Sequence, residues 1–174
     1  QSYTRTKFSG EDKKMEAMQN TASRGESLID NLFHQFQLLD IDEKTEEIGK
    51  QVIYNIDPDG YLQYPLDEVV RTLPFDVSVE ETEEVLKLVQ ALDPMGVGAR
   101  SLKECLLIQL GDNPAHDLER NLIENHLEDI EKNRIPKIAK ETNFTIDEIK
   151  LAIELISHLN PAPGRLFAQD KTMY

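Results

Sequence analysis

The chain has 174 residues, 33 acidic and 19 basic, for a formal charge of −14. Apolar residues make up 39%, enough for a modest core, and no stretch approaches the roughly 20 uninterrupted apolar residues of a membrane span. A surplus of this sign opposes adhesion to nucleic acid or anionic lipid and favours a basic protein partner, or simply solubility.

Residues 1–26 are polar and nearly neutral, with five basic and four acidic groups and no apolar period, and read as a flexible tail or linker. The remaining 148 residues carry a net −15, so the acidity belongs to the folded part. The chain opens on Gln1 without a basic-then-apolar leader, which is expected of an excised fragment whose other domains are missing.

From there on the apolar spacing is helical. Leu28, Leu32 and Phe36 mark a first amphipathic helix behind a Ser27 cap, and Ile48, Val52 and Ile56 a second. Pro65 stands at a first-turn position ahead of Leu66, Val69, Val70 and Leu73. Three capping boxes follow, Ser78 with Glu81, Ser101 with Glu104, and Thr145 with Glu148. Val85, Leu88, Val89 and Leu92 lie behind the first box. The helix after Ser101 is apolar nearly all round, which predicts a central place for it. A longer helix is expected from about His116 to Lys132, on Ile123, Leu127 and Ile130. Ile149, Ala152, Ile153, Ile156 and Leu159 follow the third box. No run alternates with period two for long enough to make a strand.

The expected fold is all-α, with two small helical bundles divided at Gly111-Asp-Asn-Pro114. These are residues 27–111 and 112–167, with residues 168–174 beginning a further linker. A weak echo at an offset of 67 pairs Ser78, Glu81, Val85, Leu88, Val89, Leu92 and Pro94 with Thr145, Glu148, Ala152, Leu155, Ile156, Leu159 and Pro161. Both copies are a capped helix ending in Leu-[Asp/Asn]-Pro.

The chemistry-bearing motifs are weaker than they look. Asn55-Ile-Asp57-Pro-Asp59-Gly60 imitates the start of a calcium loop, but Leu66 stands where a bidentate glutamate is needed. Asx-turn chemistry accounts for the same residues. Gly96-Val-Gly98 has no third glycine and follows a helix, so it reads as a tight connector after Pro94 and not as a phosphate loop. Residues 135–145 and the helix after them have the shape of a helix-turn-helix, with Asn143 at the turn. Its second helix carries Asp147, Glu148 and Glu154 against Lys150 alone, which suits packing or protein contact better than base reading. A nucleic-acid-binding helix-turn-helix module is the alternative function. His34, His116, His126 and His158 show no metal-ligand spacing, and the single cysteine, Cys105, reads as a small buried hydrophobe. No catalytic residue, cofactor or metal site is expected.

Leu92-Asp-Pro94-Met-Gly96-Val-Gly98-Ala-Arg100-Ser-Leu102-Lys-Glu104-Cys105-Leu106 resembles the signature of the core-binding domain of the sigma-54 class of bacterial transcription initiation factors. Ser27-Leu28 with Leu32 and Gln35 is similar to that family's opening helix, Asp57-Pro-Asp59-Gly60-Tyr61-Leu62 to its turn, and Leu159-Asn160-Pro161-Ala-Pro163-Gly164-Arg165 to its exit. The resemblance implies a cytoplasmic, bacterial subunit that binds core RNA polymerase through protein–protein contact. It implies that promoter DNA and an ATP-hydrolysing activator are met only through regions absent from this sequence. A monomer without membrane association is expected. Arg100 and Arg165, each following a Pro/Gly connector, are the candidate polymerase contacts; Pro94, Gly96, Gly98, Pro161 and Gly164 are the candidate structural connectors.

Overall fold

The structure is a computed structural model that describes residues 26–170. Their helices are α1 Leu28–Gln37, α2 Glu43–Tyr54, α3 Leu66–Arg71, α4 Val79–Gln90, α5 Leu102–Leu110, α6 Asp117–Asn125, α7 Leu127–Glu131, α8 Ile135–Thr142, α9 Ile146–Ser157 and α10 Pro163–Asp170, with a 3₁₀ turn at Pro114–His116. Among the described residues there is no strand, and the β pairing is confined to isolated bridges of Ile56 with Leu62 and Tyr61 with Ala99. The fold is all-α, as the spacing predicts. The tail expected over residues 1–26 lies outside the described residues, Glu26 apart. Of the linker expected from residue 168, residues 168–170 are the last turn of α10, and the rest lies outside the described residues.

Local chemistry sets most helix starts. Ser27 Oγ accepts the Asp30 N–H at 3.1 Å, and Asp42 Oδ1 accepts the Thr45 N–H at 2.7 Å. The boxes at Ser78/Glu81 and Thr145/Glu148 form in both directions. The third forms in one direction only. Ser101 Oγ accepts the Glu104 N–H at 3.2 Å, but the Glu104 carboxylate turns to Gln90 and Arg100. Two partners, one of them charged, outweigh one local amide. Pro65 is the residue just before α3 and not its first turn.

The single helix expected over His116 to Lys132 is broken into the 3₁₀ turn, α6 and α7, with the bend at His126. The bend leaves Leu122 and Ile123 fully buried and brings Leu127 and Ile130 onto the same core. A straight helix of that length would run past so small a bundle.

There are two cores. The first joins Leu32 and Phe36 of α1, Ile48, Val52 and Ile53 of α2, Val69 of α3 and Val85, Leu86 and Val89 of α4. Helix α2 packs against both α1 and α4, and the Phe36 ring lies directly on Gly49. The second core joins Leu122 and Ile123 of α6, Ile138 of α8 and Ile149, Ala152 and Ile156 of α9. Leu106 and Leu110 of α5 pack in this second core, although their helix precedes Gly111 in the chain. Helices α8 and α9 form the helix-turn-helix shape, and Asn143 takes the left-handed turn at φ 62°. Helix α10 returns to pack on α1.

Candidate functional site

The connectors, and not the helices, build the distinctive site. The first is the turn at residues 57–62. Asp57 Oδ1 accepts the N–H groups of Asp59 and Tyr61 at 2.9 and 3.0 Å, and the Asp57 N–H donates to the Tyr61 carbonyl at 2.8 Å. The Asp57 carboxylate thus serves the turn itself, as an Asx-turn requires. The second connector, residues 93–100, lies along it. The Leu62 N–H donates to the Ala99 carbonyl at 2.9 Å, and the Gly98 N–H to the Gly60 carbonyl at 2.7 Å. The third, residues 159–165, closes over the same turn. The Gly164 N–H donates to the Asp59 carbonyl at 2.9 Å, and the Tyr61 hydroxyl to the Pro161 carbonyl at 2.5 Å. Segments about a hundred residues apart in the chain are thereby knitted together.

Two glycines make this approach possible. A Cβ on Gly164 would stand 2.3 Å from the Pro58 carbonyl oxygen and 2.7 Å from the Gly60 nitrogen. Gly96, at φ 96°, has Gln109 Nε2 and Cys105 Sγ at 2.8 and 2.9 Å from where a Cβ would be. Gly98 is also left-handed, at φ 79°, but its nearest neighbour would be 3.4 Å away.

Each Leu-[Asp/Asn]-Pro stop is held by a glutamine side chain. Gln35 of α1 donates to the Asp93 carbonyl at 2.7 Å and accepts the Asp93 N–H at 2.8 Å. Gln109 of α5 does the same to Asn160, at 2.6 and 2.7 Å. A carboxamide offers one donor edge and one acceptor edge, so it can replace a missing strand or helix neighbour at such a residue. Asp93-Pro94 is a cis peptide. Cys105 is fully buried under this arrangement. Burial pushes its thiol above the ordinary range, against contacts with Tyr61 and Gln109 that pull it down. Burial, with Cys105 alongside, also pushes the Tyr61 phenol up.

The structure places all the candidate residues in or beside this junction. Pro94, Gly96, Gly98, Pro161 and Gly164 lie on the two closing connectors. Arg165 pairs with Asp59, its Nε 2.5 Å from Oδ1. Arg100 pairs with Glu83 at 3.1 Å and Glu104 at 2.9 Å. Both guanidinium groups therefore have carboxylate partners within the chain. Sequence reasoning missed Gln109 as a clamp. Its signal was present: Ser27-Leu28-x-x-x-Leu32-x-x-Gln35-Phe36 and Ser101-Leu102-x-x-x-Leu106-x-x-Gln109-Leu110 share one pattern. On the helix-turn-helix unit, Asp147, Glu148 and Glu154 are exposed on α9 with Lys150, and so is Leu151.

The comparisons with known proteins agree with this geometry. Residues 17–174 match the family described as the core binding domain of the sigma-54 factor. The chain is 33% identical over 161 residues to the RNA polymerase sigma-54 factor of Xanthomonas euvesicatoria, covering 89% of this chain and 33% of that protein. It is 31% identical over 154 residues to the factor of Escherichia coli (86% and 32% covered) and 32% identical over 146 residues to that of Bacillus subtilis (83% and 33%). The chain thus spans about a third of the length of these relatives. Sigma-54 factors are transcription initiation factors and not enzymes. With its signature segments meeting in one junction and the family match running through all of them, the chain belongs to the sigma-54 factor core-binding domain family.

Proposed function

We propose that this chain docks a sigma-54-type transcription factor onto core RNA polymerase in the bacterial cytoplasm. It acts as a monomeric protein–protein module, without cofactor or catalytic residue. The observation that supports this most directly is the junction itself. The family-like segments converge where the two helical units meet, so the joined units offer two separate faces. Such a pair gains affinity by linked binding if each face touches polymerase.

Charge supports the division of labour. Residues 27–111 carry 17 acidic and 6 basic groups, so this unit supplies the principal docking face toward a basic surface. Residues 112–160 supply the second contact, where Leu151 is 68% exposed beside Asp147 and Glu154. Arg165, paired with Asp59, keeps the two units in register, while Arg100 is paired with Glu83 and Glu104 inside residues 27–111; both arginines are the candidate polymerase contacts. Promoter recognition and activator contact belong to parts of the factor outside this sequence. Duplex reading by α8 and α9 is disfavoured, because acidic side chains flank the groove-entering helix.

Titration of the labelled chain with core RNA polymerase, read by fluorescence anisotropy at two salt concentrations, tests the proposal. Saturable binding that weakens with salt and is displaced by an intact sigma-54 factor is expected. A folded chain that ignores polymerase, while the intact factor binds, would refute it. Retardation of duplex DNA at low salt would favour the helix-turn-helix alternative.

A further inference from the structure

Among the described residues, three side-chain atoms are buried without a hydrogen bond: Asn160 Nδ2 at the junction, Glu119 Oε2 on α6 and His126 Nδ1. His126, at the bend between α6 and α7, is 7% exposed, and its Nδ1 is buried and makes no hydrogen bond. That atom points at two carboxylate oxygens. Asp129 Oδ2 of α7 and Glu141 Oε2 of α8 are each 3.5 Å from it. The three ligand atoms lie within 4.8 Å of one another.

A separation of 3.5 Å is too long for a good N–H···O bond. It does suit the edge of a tetrahedron. With metal–ligand bonds of roughly 2.0–2.1 Å, ligands at the tetrahedral angle stand about 3.3–3.4 Å apart. The other Asp129 oxygen, Oδ1, accepts from Lys137 Nζ at 3.3 Å and forms a looser ion pair with Arg134 Nη1 at 3.5 Å. These outer partners orient the carboxylate so that Oδ2 faces the imidazole, as second-shell groups do at metal centres.

We propose that His126, Asp129 and Glu141 form a site for a borderline divalent transition cation of the zinc type, with a fourth position open beside the half-exposed Glu141. Two carboxylates with a lysine and an arginine balance to zero formal charge. Such a site has too little negative charge for the hard cations magnesium and calcium, which need several oxygen ligands. An imidazole nitrogen with two oxygens selects zinc or its neighbours instead. The cation would tie the bend to α8, which is the first helix of the helix-turn-helix unit.

Calorimetric titration of the untagged chain with zinc chloride at pH 7.5, paired with thermal melts with and without the metal, tests this. One saturable site is expected, with a melting temperature that rises with zinc concentration and no such rise with magnesium chloride. His126→Gln removes the site, and Glu141→Gln, an exposed change that spares the fold, weakens it at least about tenfold. If His126→Gln does not fold, Glu141→Gln alone decides. Absence of saturable zinc binding overturns the proposal, and so does zinc binding unchanged by Glu141→Gln. A His126 ring that carries protons on both nitrogens at pH 7.5, unaltered by zinc in nitrogen NMR, also overturns it and leaves a histidinium bridging two carboxylates.

Discussion

At Gly164 there is no space for even one methyl group, because backbone atoms of Pro58, Asp59 and Gly60 fill the position. Backbone cannot swing aside as a side chain can. Gly164→Ala is therefore expected to cost about 2 kcal/mol or more, the upper range of overpacking, in a denaturation midpoint. Gly96→Ala should cost more than Gly98→Ala. Both take on left-handed strain of roughly 1–2 kcal/mol, but Gly96 also meets Cys105 and Gln109. Equal losses at the two positions would show that the steric contact is relieved at no cost. Cys105 gives a pH prediction. Its thiol is pushed up on folding, so its contribution is fully present below the unfolded value of about 8.5 and is lost as pH rises past it. Thermal midpoints from pH 7 to pH 10 should fall, and Cys105→Ala should flatten that fall. In the native chain at pH 8, Cys105 should also resist thiol-specific reagents until denaturant is added.

Among the elements, the paired glutamine clamps tell most. Gln35 with Asp93 and Gln109 with Asn160 are the same device, placed eight residues after Ser27 and Ser101 respectively. Each joins a Ser-Leu helix to the end of a boxed helix, so the echo between the two boxed helices extends to the helices that hold them. This favours a duplicated helical unit over coincidence. Replacing either glutamine by alanine removes the side-chain partner of a backbone N–H and C=O, and a loss of about 1–3 kcal/mol is expected from each in chemical denaturation. Gln109→Ala should cost more, since Asn160 is partly buried while Asp93 is exposed. The helices themselves were legible from caps and apolar spacing, because those signals act within a few residues. Glu104 was not, since its choice between the Ser101 cap and Arg100 depends on Gln90 and Arg100 being brought near. The bend at His126 also escaped the sequence: no proline or glycine marks it, and only the size of the core it wraps requires it. The junction was half legible. Its segments stood out as turn formers, but that Asp59 would meet Arg165, 106 positions away, is a property of the packed molecule.

The whole molecule is two small cores held by a polar clasp, so its integrity depends on hydrogen bonds that cross between segments more than on a shared apolar interface. Arg165→Ala removes the charged part of that clasp from an exposed position. It is expected to leave helix content unchanged by circular dichroism and to weaken polymerase binding mainly through faster dissociation, because the two faces lose their fixed spacing. A change in association rate alone, with its salt dependence altered, would instead mark Arg165 as a direct contact. Helix α10 on α1 has another consequence. The last described helix is held against the first, while residues 111–113 form an exposed loop between α5 and α6. In the intact factor, a pull on whatever follows α10 is then met first where α10 rests on α1.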